Sequence, residues 1–123
     1  MKDYKKIKVW GKSHILVKEL YFATSKYPRE ELFGITPQMR RAVASIPTNI
    51  AEGCGRSSDA DFRRFLQIAF GSANEVEYLI LLSYELNYIE EDQFVEYTNK
   101  IIEIKKMLAG IIKKITIDIN SSK

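Results

Sequence analysis

Phe62, Leu66, Ala69, Ala73, Val76, Ile80 and Ser83 recur at alternating steps of four and three, and that spacing restricts the fold sharply. It sets all seven on one stripe of an α-helix and would scatter them over both faces of a strand. A stripe from 62 to 83 is about 33 Å long at 1.5 Å per residue, the seam of a helix packed lengthwise on others. Gly71 and Ser72 cost helix propensity beside Ala69 and Ala73, which predicts a close neighbouring helix there. A phosphate-binding loop is a poor alternative, because no strand precedes the glycine and neither nucleotide-binding spacing is present. Sustained two-residue alternation occurs nowhere, although ITIDI imitates it briefly, so the chain reads as all-α.

The preceding stretch, ITPQMRRAVASIPTNIAEGCGR from Ile35 to Arg56, carries a second stripe of Met39, Ala42, Val43, Ile46 and Ile50. Thr36 is placed to cap this helix and Pro37 to open it, where the missing N–H costs nothing. Gly53 and Gly55 are placed to end it, since glycine reaches the left-handed conformation without a Cβ clash. Pro47 breaks the pattern. Inside a helix it removes a backbone hydrogen bond at a cost of about 3 kcal/mol and should bend the axis, so its surroundings must hold it.

Two more amphipathic segments flank these, giving helices over roughly 7–26, 37–53, 59–86 and 91–116, with a frayed tail over 117–123. In the first, Trp10, His14, Val17, Tyr21 and Thr24 share a stripe with Leu20 and Ser13 beside it, making Trp10 a core anchor and His14, the only histidine, an edge residue. Leu32 and Phe33 in the first connection are expected to plug one end of the core. Ser58 caps the third helix, Asn87 ends it, and Glu90, Glu91 and Asp92 suit the positive start of the fourth. Phe94, Thr98, Ile101, Lys105, Leu108, Ile112 and Ile115 form the last stripe, widened by Val95, Ile102 and Ile111. Four such helices joined by short links predict an antiparallel up-down-up-down four-helix bundle in a single domain.

The composition excludes several classes of function. With 123 residues, 46% of them apolar and 28% charged, the chain is an ordinary globular one. It has no run near the about 20 apolar residues of a membrane span, and its N-terminus lacks the apolar segment of a signal peptide, so a cytoplasmic location is expected. Cys54 is the only cysteine and reads as a small side chain at a helix end rather than a reactive thiol. No nucleophile–base pair, cofactor motif or metal-ligand cluster can be assembled, so no enzyme, cofactor, metal or small-molecule substrate is expected.

Charge is more informative by position than by its net value of +3. In an up-down bundle the start of helix one, the end of helix two, the start of helix three and the end of helix four meet at one pole. That pole is assigned Lys2, Lys5, Lys6, Lys8, Lys12, Arg56, Arg63, Arg64, Lys105, Lys106, Lys113, Lys114 and Lys123 against far fewer acids, which leaves the opposite pole net acidic. A basic end of this kind can hold RNA or DNA through its phosphates, without a motif for reading bases or a recognisable aromatic stacking motif. The bland alternative is a lysine-rich solvated end. Helix four also has more apolar positions than one seam needs, and the surplus suits contact with another copy or a protein partner.

The stretches VWGKSHILVKELY, YPREELFGITPQMRRAVASIPTNIAEGCGR and FRRFLQIAFGSANEVEYLI closely resemble bacterial four-helix-bundle proteins encoded in intervening sequences of 23S ribosomal RNA genes, sometimes labelled ribosomal proteins. That family is similar in fold to the accessory variability proteins of diversity-generating retroelements. The resemblance implies a homo-oligomer, pentameric among relatives, associated with nucleic acid or a reverse transcriptase, and no known enzymatic activity. The signature positions it picks out are Arg40, Arg41, Ser45, Pro47, Asn49, Glu52 and Gly53, with Gly71, Ser72 and Glu75 in the third helix. Asn49 and Glu52 are one turn apart near the stripe, and Arg40 or Arg41 faces an acid such as Glu75 if the helices are antiparallel. Such a set reads as an internal network that fixes helix register rather than as a binding site.

Overall fold

A computed structural model describes residues 2–122. Four helices carry the chain, α1 (Lys8–Thr24), α2 (Ile35–Cys54), α3 (Asp59–Glu85) and α4 (Glu91–Ser121), with short 3-10 turns at Tyr4–Lys6 and Arg29–Glu31 and no strand among the described residues. Each helix packs on its chain neighbours, and α1 closes the ring against α4.

Cross-helix bonds show that every neighbouring pair is antiparallel. Going up α2, Gln38, Ser45 and Gly53 meet Glu75, Ser72 and Phe65, going down α3. Going up α3, Arg63, Glu77 and Tyr84 meet Thr116, Lys105 and Glu91 of α4. Lys12 and Glu19 of α1 reach Glu103 and Lys100 of α4. The up-down-up-down bundle follows from these pairs alone.

All seven seam residues of α3 are buried, as are the five stripe residues of α2. The α1 stripe is rotated from the expected one. Val9, Ser13, Leu16, Leu20 and Ala23 fill the core, while Trp10 and Val17 are half-buried and His14 and Tyr21 exposed; of the expected stripe only Thr24 is inside, and Ser13 and Leu20, expected beside it, are buried. The small Ser13 and Ala23 lie on the inner face because α2 and α4 press on it, leaving the larger rings on the flank. In α4 the buried set is Tyr97, Ile101, Ile104, Leu108 and Ile115, with Phe94, Thr98, Lys105 and Ile112 at its margins.

The helix ends differ from expectation for identifiable reasons. Thr36 does not cap α2. Gly34 occupies the cap position, and the Glu31 carboxylate accepts from the Ile35 N–H at 3.0 Å, so a residue from the preceding turn closes the helix start. Pro37 is therefore the third helical residue, still within the turn whose N–H groups lack partners. Neither Gly53 nor Gly55 is left-handed; Gly55 has φ −85°. The left-handed residue among those described is Asn87, at φ 64°, where α3 ends. Helix α4 continues through the stretch expected to fray, to Ser121; Lys123 lies outside the described residues. Leu32 and Phe33 do not plug the core, being 57% and 94% exposed in the connection that the Glu31–Ile35 bond spans. Among the described residues no helix is long and apolar enough to cross a membrane.

Candidate nucleic-acid interface

The basic pole is assembled from the chain's first residues inward. The Lys2 N–H donates to the Cys54 carbonyl at 3.1 Å, pinning the N-terminal segment to the end of α2. Asp3 then accepts from the Lys5 N–H at 3.1 Å and caps the 3-10 turn that displays Lys5 and Lys6, with Lys8 opening α1. Across the pole, Ser58 caps α3 through the Asp61 N–H at 3.1 Å. Lys2 and Lys114 line a groove of about 420 Å³ with Phe62, and Asp59 and Asp118 lie in the same groove.

Guanidinium groups are held differently from ammonium groups. Arg56 and Arg64 both stand over the Phe65 ring, 4.7 and 4.4 Å from its centroid, and each also meets its own acid, Glu52 at 3.1 Å and Asp61 at 3.4 Å. Arg63 donates to the Thr116 hydroxyl at 3.1 Å.

The structure divides the expected basic set. Lys105 sits in the waist of the bundle, paired with Glu77 at 2.8 Å, with Lys106 next to it; Lys12 meets Glu103 at 3.2 Å on the α1–α4 flank. Residues 105 and 106 lie at the middle of α4, and Lys105 bonds Glu77, well along α3 from its start at Asp59, so the register of the two helices sets both lysines at the waist. Lys5, Lys6, Lys8, Lys113 and Lys114 remain at the pole, exposed, with no carboxylate at ion-pair distance among the described residues.

The signature polar residues are likewise divided. Ser45 and Ser72 hydroxyls meet at 2.8 Å between α2 and α3, and the Asn49 amide donates to the Ser45 carbonyl at 2.8 Å and hydroxyl at 2.9 Å. Glu52 is outside this network, exposed and paired with Arg56. Arg40 does not reach Glu75. It donates to the Thr24 hydroxyl at 2.9 Å and the Tyr21 carbonyl at 3.1 Å, so it serves the carbonyl end of α1, while Gln38 donates to Glu75 at 3.3 Å. Arg41 is exposed. The close approach expected at Gly71 is absent there, since a Cβ would meet nothing within 4 Å. It occurs at Gly53, where a Cβ would stand 2.9 Å from Phe65 Cβ and 3.0 Å from Phe62 Cδ1. Pro47 is buried within an α2 that stays helical around it.

Two features bear on chemistry. Cys54 is free and buried, and burial pushes its thiol pKa up, the opposite of what a nucleophile needs. Among the described residues no group of three or more His, Cys, Asp or Glu could hold a metal ion. Sequence reasoning missed one cluster: Trp10 stacks on His14, with Tyr4 in a T-shaped contact with Trp10. The four-residue spacing of Trp10 and His14 was the available signal, hidden by assigning Trp10 to the core.

Residues 5–110 match the model of a family described as 23S rRNA-intervening sequence protein. Among solved structures, a protein of unknown function from the S23 ribosomal protein family of Bacteroides thetaiotaomicron VPI-5482 is 34% identical. The match covers 85% of this chain and 95% of that one, with a TM-score of 0.79. No curated protein matches the chain significantly.

Proposed function

We propose, for a chain that belongs to the family of 23S rRNA-intervening sequence proteins, that it works as a non-enzymatic, homo-oligomeric helical bundle that associates with RNA, alone or in a ribonucleoprotein, through its basic pole. One observation carries this reading: Lys5, Lys6, Lys8, Lys113 and Lys114 are exposed together at one end without carboxylate partners among the described residues. An ammonium already neutralised by an acid, as Lys105 is by Glu77, releases no phosphate counterion on binding; an unpaired one does. A non-enzymatic role is supported by how the carboxylates are used. Glu31 and Glu90 cap helices, while Glu19 and Glu77 hold lysines across helix pairs.

The test is RNA binding by charge-reversed protein. Lys113→Glu with Lys114→Glu should weaken binding uniformly across RNA sequences, by about tenfold or more at 50 mM salt. Lys105→Glu should affect stability more than affinity. Equal affinities for wild type and the double variant would defeat the reading.

A second reading, an adaptor that docks a protein such as a reverse transcriptase, is favoured by a separate observation. Phe33, Phe22 and Leu32 are 94%, 66% and 57% exposed at the end opposite the lysines. These exposed apolar residues also support self-association, and sedimentation as a strict monomer at micromolar concentration would contradict the oligomeric half of the proposal.

A further inference from the structure

Tyr4, Trp10 and His14 make a short ladder of rings where the N-terminal segment crosses α1. Trp10 and His14, one turn apart, lie nearly parallel with centroids 5.0 Å apart and planes at 12°; Tyr4 packs in a T-shaped arrangement with Trp10, centroids 4.9 Å apart and planes at 62°. The ladder opens on a groove of about 400 Å³ whose opposite wall is Ala44, Pro47, Thr48 and Ala51 of α2. No carboxylate lines this groove. Lys5 hangs over Tyr4 with its ammonium 5.9 Å from the ring, and Lys6 and Lys8 are exposed on the same segment. His14 is exposed, so one of its faces is covered by Trp10 while the ring stays in contact with solvent. The inner face of α1 is filled by Val9, Ser13, Leu16 and Leu20, so the ladder flanks the core instead of building it.

We propose that this groove is a stacking site for unpaired bases of single-stranded nucleic acid, with the base on the Trp10–His14 ladder and its phosphates on Lys5, Lys6 and Lys8. The proposal rests on the nucleic-acid reading above and adds the form of nucleic acid taken. Every base has a π-face that an aromatic ring can cover, and a duplex hides those faces in its own stack. Lysines alone hold duplex and single strand alike; lysines on the chain segment that carries Tyr4, beside an aromatic groove lined by no carboxylate, favour the strand with bases to spare.

Trp10 is the only tryptophan, so its emission reports on this groove. The probe is a twelve-nucleotide oligouridylate labelled at one end, beside an RNA duplex of equal length, each titrated at low salt against wild type and His14→Ala. His14 is exposed and the variant should melt like wild type. Binding of the oligouridylate should quench Trp10, and His14→Ala should weaken it about tenfold while leaving duplex affinity unchanged. If wild type and His14→Ala bind the oligouridylate equally and Trp10 emission does not move, the stacking site is wrong while nucleic-acid association survives. Trp10 emission that follows protein concentration instead of oligonucleotide would make the groove a contact between copies, which also overturns the proposal. Absence of any binding removes both readings.

Discussion

Gly53 and Gly55 are two residues apart at the end of α2, and only one of them is required by packing. A Cβ on Gly53 would enter the space of Phe65 Cβ, an atom that cannot yield without moving α3, whereas one on Gly55 would stand 3.4 Å from the Glu52 carbonyl. Gly53→Ala should therefore cost about 1–3 kcal/mol of stability through overpacking, and Gly55→Ala should be near neutral; urea unfolding of both variants checks this. Sequence alone shows two glycines near a helix end and suggests a turn for both, since what crosses above Gly53 is settled by α3.

Glu31 shows the same limit at the other end of α2. The Ile35 N–H first, and then the Tyr88 hydroxyl at 2.7 Å, hold its carboxyl below the ordinary range, while Tyr88 is pushed up to about 12 chiefly by that hydrogen bond. A lowered carboxyl stabilises the fold above its unfolded pKa, and the contribution disappears as pH falls through the lower folded value. The raised phenol acts in the opposite sense, fully present below 10.0 and lost as pH rises towards about 12. The melting-temperature gap between wild type and Glu31→Gln should thus be widest near neutral pH and shrink on acidification below pH 4; a gap independent of pH would contradict this role. Tyr88 is 57 residues away in sequence, so no local pattern could identify it as the cap's partner.

Among the elements, α3 was the most legible and α1 the least. A long helix clamped between two neighbours needs an unbroken seam, and every expected seam residue of α3 is buried. Helix α1 is short, and its large residues occur on two stripes, so size favoured the wrong one; the core took Val9, Ser13, Leu16 and Leu20. Its far end is closed by α2, through Arg40 to Thr24 and the Tyr21 carbonyl, with the guanidinium 4.9 Å above the Tyr21 ring. A planar fork can donate to two acceptors while stacking, and an ammonium cannot reproduce that arrangement. Arg40→Lys should keep the charge near the helix end yet lose about 1 kcal/mol, read from the urea midpoint. A variant as stable as wild type would mean that charge alone suffices.

For the molecule as a whole, the four-helix bundle follows from periodicity and short connections, because amphipathic helices joined this closely have few ways to bury their stripes. Its surface was less legible. Charge can be assigned to a pole from sequence, but which lysines are neutralised depends on helix length and register. The register of α4 on α3 places Lys105 beside Glu77, and Arg63 on Thr116 brings the Lys113–Lys114 segment to the start of α3. Exposed apolar residues escaped notice for a related reason, since Phe33 looks like core material by its type and is 94% exposed in the connection before α2.

The proposed role as an RNA-associated bundle reduces to counterion release at the unpaired lysines, which salt measures directly. The affinity of wild type for a short single-stranded RNA should fall linearly on logarithmic axes as salt rises from 50 to 200 mM, with a slope near −0.7 for each phosphate neutralised. Lys113→Glu with Lys114→Glu should make that slope shallower by about 1 or more. An affinity that does not change with salt, or a slope identical in the two proteins, would contradict the account.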